Sequence, residues 1–309
     1  MTSMDGREQI PSQFISEIPE EFIFEEEIVK FEKKLSSNLE AILVNSKSEK
    51  GQLISSDYAK ELFKRQGLSV SALNNYLKCP WKFFFVNLIR LPEKIENSNL
   101  YGSAIHGALN QYLVQVKKGK NVTKELLIEK FIEEMVILPF SENERDRFME
   151  RGKEALSGFY DNQMTDWKSD METELEIKGI RINDDLILNG KIDMIRPVDG
   201  GKFDVTDFKT GKPKSRNVIE GNVKDGDGNY KRQLVFYKIL LDRFRNGFFK
   251  MNNGIIEFVE PTEKGDYRRE VFDVTDEEEK ILLEQTVKVG EEISSLSFWN
   301  DTCKDPDCE

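Results

Sequence analysis

Gly190-Lys191-Ile192-Asp193 closes one apolar run of the sequence, and Asp207-Phe208-Lys209-Thr210-Gly211 closes the next, with Gly200-Gly201 between them. Apolar runs punctuated by a glycine pair read as two strands joined by a turn. Side chains alternate faces along a strand, so Asp207 and Lys209 point the same way. Pairing the strands as a hairpin brings Asp193 close to them. Two carboxylates and an ammonium on one sheet surface are a costly grouping unless something polar or charged binds there. A divalent cation with a water to be activated is the simplest candidate.

Working outward, 172–182, 186–196 and 202–209 form an antiparallel meander. A long helix over 230–245 follows, then strands at 255–259 and 267–274. Thr275 with Glu278 makes a capping box that opens a last helix running to about Ser295. Upstream the pattern is helical: 101–117, 124–137 and 142–165, preceded by a buried, aromatic-rich segment over 69–91 that Pro92 ends. A short helix falls near 56–66 and a charged helical stretch over 19–46, and residues 1–20 read as an extended lead-in. Helices, then a meander, a helix and further strands make the fold α/β, with a mixed central sheet flanked by helices and a helical N-terminal region.

At 309 residues the chain can hold one large domain or two modest ones, and 38% hydrophobic with 33% charged residues suits a globular protein. No apolar run reaches the length of a membrane span, and the N-terminus lacks a signal-peptide pattern, so a cytoplasmic location without membrane partners is expected. The net charge of −12 argues against bulk electrostatic attraction to nucleic acid. Locally the sign reverses: Lys209, Lys212, Lys214 and Arg216 crowd the segment after the acidic pair, followed by Lys231 and Arg232.

The candidate chemistry centres on Asp193, Asp207 and Lys209. Mg²⁺ takes one or two carboxylates together with waters and phosphate oxygens. Such an ion lowers the pKa of water and stabilises charge on a phosphate undergoing in-line displacement. Lys209 can orient and help deprotonate the water, with its pKa depressed by the cation, or stabilise the transition state. His106, the one histidine of the chain, lies within Tyr101-Gly102-Ser103-Ala104-Ile105-His106-Gly107, where small residues imply close packing. It reads either as a satisfied core histidine or as a metal ligand or phosphate contact. Gln233 and Tyr237, four apart on one helix face, are either a polar edge of a packed helix or a contact to DNA or to Lys209.

Gly102…His106, Gly190-x-x-Asp193, Asp207-x-Lys209 and Gln233-x-x-x-Tyr237, in this order, resemble the PD-(D/E)XK nuclease superfamily, and more narrowly its RecB/AddB-type branch. The stretch Leu77-Lys78-Cys79-Pro80-Trp81-Lys82-Phe83 also resembles that branch's opening helix, and Ile192 stands where the superfamily's name puts proline, as is usual for the branch. The resemblance implies a restriction-endonuclease-like core in which Asp193, Asp207 and the Phe208 carbonyl hold Mg²⁺, with Mn²⁺ as a substitute. His106 would assist and Lys209 be catalytic, with Gln233 and Tyr237 as the auxiliary motif. Lys212, Lys214 and Arg216 would grip DNA phosphates.

The expected activity is a Mg²⁺-dependent deoxyribonuclease, exonuclease-like on single-stranded or end-processed DNA in repair and recombination. The alternative is a catalytically silent nuclease fold that binds DNA or a helicase partner. Gln9–Pro19 is similar to the segment closing the motor of UvrD/Rep-type helicases, which implies that a helicase motor precedes this piece in the natural polypeptide. The expected division is 1–67 as lead-in and helical extension and 68–309 as nuclease domain. Some members of the branch hold a [4Fe–4S] cluster, which takes four cysteines. Here Cys79 occupies the first position and Cys303 and Cys308 lie in the tail, so a cluster is expected only in a longer natural chain.

Overall fold

The computed structural model describes residues 55–300 apart from 94, 121 and 225, together with Pro19. The helix expected over 19–46, the lead-in and both Cys303 and Cys308 otherwise lie outside the described residues. Helices α1 (Ser56–Gln66), α2 (Val70–Lys78), α3 (Asn97–Lys117), α4 (Lys124–Val136) and α5 (Glu142–Gln163) precede the first strand. Then come β1 (Glu172–Arg181), β2 (Ile187–Val198), β3 (Lys202–Lys209), α6 (Arg216–Glu220), α7 (Asn229–Leu241), β4 (Lys250–Pro261), β5 (Tyr267–Phe272) and α8 (Asp276–Ser295).

The strands form one sheet in the order β1-β2-β3-β4-β5. Pairing is antiparallel except between β3 and β4, which run parallel. A parallel pair needs a long crossover, and α6 with α7 supply it. The expected mixed sheet flanked by helices is therefore the observed fold.

Each sheet face carries its own apolar core. On one, Phe63, Leu73, Phe84, Ile192, Val205, Leu234, Leu240 and Phe258 bury α1, α2, α7 and α8. On the other, Ala104, Ile105, Leu109, Phe131, Phe159, Met194 and Phe208 bury α3, α4 and α5. Helix α1 thus packs into the same core as the sheet through Ala59, Leu62 and Phe63. At Cys79 the backbone turns extended (φ −159, ψ 117), which separates α2 from a single turn at Pro80–Lys82 and a widened helical turn at Phe83–Leu88. The aromatic stretch is buried as expected, though broken where the residue before a proline disfavours helical geometry.

One local irregularity positions the site. Met194 and Ile195 pack into opposite cores, as alternation demands, yet Ile192 lies on the face of Ile195. The strand slips out of phase at Asp193, and the β2–β3 ladder runs only from Val198↔Lys202 to Met194↔Thr206. Beyond that last pair the backbone ladder stops, with Asp193 and Asp207 just past it. Gly190 permits the approach of α7: a Cβ there would fall 2.4 Å from Leu240 Cδ1.

Candidate active site

Asp207 and Lys209 leave the end of β3 toward α7, as the period of two requires. Gln233 and Tyr237 face them from adjacent turns of that helix. The four side chains close a ring. Lys209 Nζ lies 2.6 Å from Asp207 Oδ2 and donates to Gln233 Oε1 at 2.7 Å. Gln233 Nε2 donates to Tyr237 Oη at 2.6 Å, and the Tyr237 hydroxyl donates to Asp207 Oδ1 at 3.1 Å. Tyrosine has one proton to give, so the ring also fixes the orientation of the Gln233 amide.

Asp193 joins from β2. Its Oδ2 accepts the Phe208 backbone N–H at 2.8 Å, and its Oδ1 lies 3.4 Å from His106 Nδ1. His106 reaches it from α3, where Gly102, one turn earlier, lets the loop after β3 approach: a Cβ at Gly102 would meet Thr210 Oγ1 at 3.1 Å. The Phe208 side chain packs edge-on to His106 and so separates the site from the second core.

The electrostatics follow from burial. Asp207 is 1% exposed, and desolvation pushes its pKa up, with the Lys209 ammonium pulling against it and Asp193 adding to it. Burial pulls Lys209 down, but the charge and hydrogen bond of Asp207 and the charge of Asp193 outweigh it, so the ammonium is held above its ordinary value. The depression expected from a neighbouring cation is thus reversed when only the protein's own carboxylates act on it. His106 is likewise raised: burial opposes its charge, and the hydrogen bond and charge of Asp193 prevail. Tyr237 is pushed well above its usual range by burial and by Asp207, so it remains a donor.

Two neighbours escaped the sequence reading. Glu174 of β1 lies between the pairs Thr173↔Met194 and Leu175↔Ile192, and so opposite Asp193. Ligand atoms of His106, Glu174 and Asp193 all lie within 4.8 Å of one another. Glu174 also pairs with Lys191 and holds a left-handed φ of 57°, uncommon for a residue with a side chain. Glu172, Glu174 and Glu176 are indistinguishable in a strand of unknown register, and only the hairpin alignment singles out the middle one. Tyr230, one turn before Gln233, places its ring centroid 4.5 Å from Lys209 Nζ.

The basic segment divides. Lys212 is 91% exposed, with Glu263 at 3.8 Å its one ion-pair partner among the described residues. Lys214 Nζ lies 4.5 Å from the Tyr230 ring centroid. Arg216 is held by Glu220 at 3.0 Å, Glu270 at 3.6 Å and the Val271 carbonyl at 2.9 Å, which leaves its charge largely satisfied. Cys79 is buried at 2% exposure, and the rest of the proposed cluster set lies outside the described residues.

The donor set is carboxylate oxygen with one imidazole, suited to a hard divalent cation and unsuited to a soft one. Asp207 Oδ2 is buried with the Lys209 ammonium 2.6 Å away, and a carboxylate oxygen has a second lone pair to offer such an ion. Asp193, Asp207, His106 and Glu174 are therefore the residues that can hold one.

A second buried carboxylate sits away from this ring. Glu257, beside Phe208 in the parallel ladder, is 2% exposed. Burial pushes its pKa from 4.5 up to about 7, against Arg269 and Arg196 and with Asp166. A carboxyl raised in the folded state binds more protons there than when unfolded, so stability falls as pH rises from 4.5 to about 7 and is flat above. The shift corresponds to about 3 kcal/mol. Glu257→Gln is expected to raise the melting temperature at pH 8, with the gain vanishing by pH 5. Thermal melts across that range check it, and an equal gain at both ends would refute it.

Comparison with known proteins bears on the fold first. A crystal structure of a candidate exonuclease from Eubacterium rectale aligns with a TM-score of 0.54 at 15% identity, covering 84% of this chain and 92% of that one. A second solved structure, SSO0001, covers 74% of this chain and 86% of its own at 15% identity, with a TM-score of 0.29. No curated protein matches the sequence. The family model of the PD-(D/E)XK nuclease superfamily matches residues 67–309, a span that contains every residue of the ring, and the chain belongs to that superfamily.

Proposed function

We propose that the chain is a Mg²⁺-dependent deoxyribonuclease of the RecB/AddB type that degrades single-stranded or end-processed DNA in repair and recombination. The carrying observation is the closed ring of Asp207, Lys209, Gln233 and Tyr237. A buried carboxylate–ammonium pair costs stability unless every member is satisfied. A chain that only bound DNA would have no use for so constrained an ammonium.

Bound between Asp193 and Asp207, Mg²⁺ or Mn²⁺ would supply Lewis acidity toward the phosphate and acidify the attacking water. The protein's own residues do the rest. Hydrolysis forms a bond from the water oxygen to phosphorus and breaks a P–O ester bond, with charge growing on the phosphate oxygens. Lys209, kept protonated by its carboxylates, is suited to donate to that charge or to orient the water. Gln233 and Tyr237 hold Lys209 and Asp207 in place, and His106 orients Asp193.

The division we adopt is 1–67 as lead-in and helical extension, the end of a helicase region, and 68–309 as nuclease domain, with α1 packed into the nuclease core from the near side of that boundary. The location proposed is cytoplasmic; among the described residues no helix is long and apolar enough to cross a membrane. A [4Fe–4S] cluster on Cys79, Cys303 and Cys308 is proposed only for a longer chain that supplies a fourth ligand.

The test is digestion of end-labelled single- and double-stranded DNA by the full chain with Mg²⁺ or Mn²⁺, and with a chelator. Metal-dependent cutting, faster on single strands, is expected. Intact DNA under both metals would overturn the reading.

A further inference from the structure

The ring of Tyr230 carries two ammonium groups. Lys209 Nζ and Lys214 Nζ each lie 4.5 Å from its centroid, one on the strand that bears the site and the other on the exposed loop that follows. Lysine over an aromatic face is attracted by the ring quadrupole. Lys214 forms no ion pair with a carboxylate among the described residues, whereas Arg216 two positions on forms two. Lys214 is thus held beside the reacting centre without a carboxylate of its own among the described residues. A positive charge so placed suits a phosphate of a polyanion.

Tyr230 is placed for this by sequence. It precedes Gln233 by three and Tyr237 by seven on α7, so the three share a helix face. Its ring also packs against Phe258 at 6.4 Å between centroids, which anchors it to the sheet. An anchored ring can hold the otherwise flexible Lys214 at a fixed spacing from Lys209, which Asp207 and Gln233 already constrain.

We propose that Tyr230 is a positioning residue that holds Lys209 and Lys214 together, so that the phosphate being cut and a neighbouring phosphate of the same DNA strand are gripped as one unit. This rests on the nuclease reading above. In this arrangement Lys214 is a binding residue, Lys209 is catalytic, and Tyr230 acts through both without touching the substrate.

The experiment uses the full chain and a short single-stranded oligonucleotide, reading kcat and KM in Mg²⁺ and binding by fluorescence anisotropy in Ca²⁺. Tyr230→Leu is expected to lower kcat and to weaken binding, each by about 3- to 10-fold, the range of a partly desolvated cation–π contact. Lys214→Ala is expected to raise KM and leave kcat nearly unchanged. Adding Lys214→Ala to Tyr230→Leu is expected to weaken binding little further, because the lysine acts through the ring. Tyr230→Phe, which restores the ring alone, is expected to recover both losses.

Thermal melts identify variants that merely fail to fold; if Tyr230→Leu is one, Tyr230→Phe decides alone, with wild-type kcat and binding expected and a loss of either overturning the proposal. Tyr230→Leu with wild-type kcat and binding overturns the proposal, and so does a Tyr230→Phe variant as impaired as Tyr230→Leu. If the wild type binds DNA without cutting it, the nuclease reading fails while the binding arm still decides the role of Tyr230. If it neither binds nor cuts, both fall.

Discussion

Asp207→Asn is expected to lower metal-dependent cleavage by at least about 10³-fold while the protein remains folded. The substitution keeps shape and leaves an oxygen to accept the Tyr237 hydroxyl, so that side of the ring survives. It removes the one negative charge that is both fully buried and within 2.6 Å of Lys209. Burial already disfavours that charge, so neutralising it relieves a desolvation cost. Part of the relief is offset because Lys209 loses its closest carboxylate. A melting temperature near wild type with cleavage lost is the expected pattern, measured by thermal melts beside single-turnover digestion. Cleavage retained within tenfold would remove Asp207 from the proposed metal centre.

Lys209→Met is expected to cost about 10² to 10⁴ in kcat with little change in DNA affinity. Methionine keeps the length and apolar volume of the lysine stem, so the loss reads the ammonium. Without it, Asp207 loses its counter-charge in a buried site, and its pKa rises further. The residual activity of this variant should therefore climb with pH over a range where wild type is already level. Lys209→Arg should not rescue: the ammonium sits as a point charge between Asp207 Oδ2 and Gln233 Oε1, and a planar fork needs a different spacing. A pH–rate profile of the three proteins checks this. Wild-type-like kcat in Lys209→Met would reduce the lysine to a structural counter-ion.

The features behind these two effects differ in how far the sequence reveals them. The alternation that puts Asp207 and Lys209 on one face is a property of any strand, and the i, i+4 pairing of Gln233 with Tyr237 is a property of any helix. Their meeting is not. It depends on α7 crossing over β3, which the closeness of Leu240 to Gly190 makes possible. The capping box at Thr275 and Glu278 was equally legible, because both hydrogen bonds are local.

Longer-range effects moved the element boundaries. Helix α7 ends at Leu241, short of the expected 245, as the backbone turns left-handed at Arg245 and Asn246. Strand β4 begins at Lys250, ahead of the expected 255, because its polar first residues are recruited by neighbours: Lys202↔Lys250 pairs in the parallel ladder, and Asn252 and Asn253 donate to the buried carboxylate of Asp204. Arg216, read as a phosphate contact, is drawn instead toward Glu220, Glu270 and the ring of Phe272.

By itself the sequence determined the α/β class, the meander and the helical crossover, which depend on local periodicity, capping and turn chemistry acting over a few residues. Asp193, Asp207 and Lys209 stood out by residue type and spacing, whereas His106, Gln233 and Tyr237 were singled out by the family resemblance. Only the tertiary structure decided that β3 and β4 run parallel, that the phase slip at Asp193 sets Glu174 opposite it, and that Tyr230 gathers Lys209 with Lys214. Each of these is a contact between segments far apart in the chain. Register, packing and burial select them, and no short stretch of sequence contains both partners.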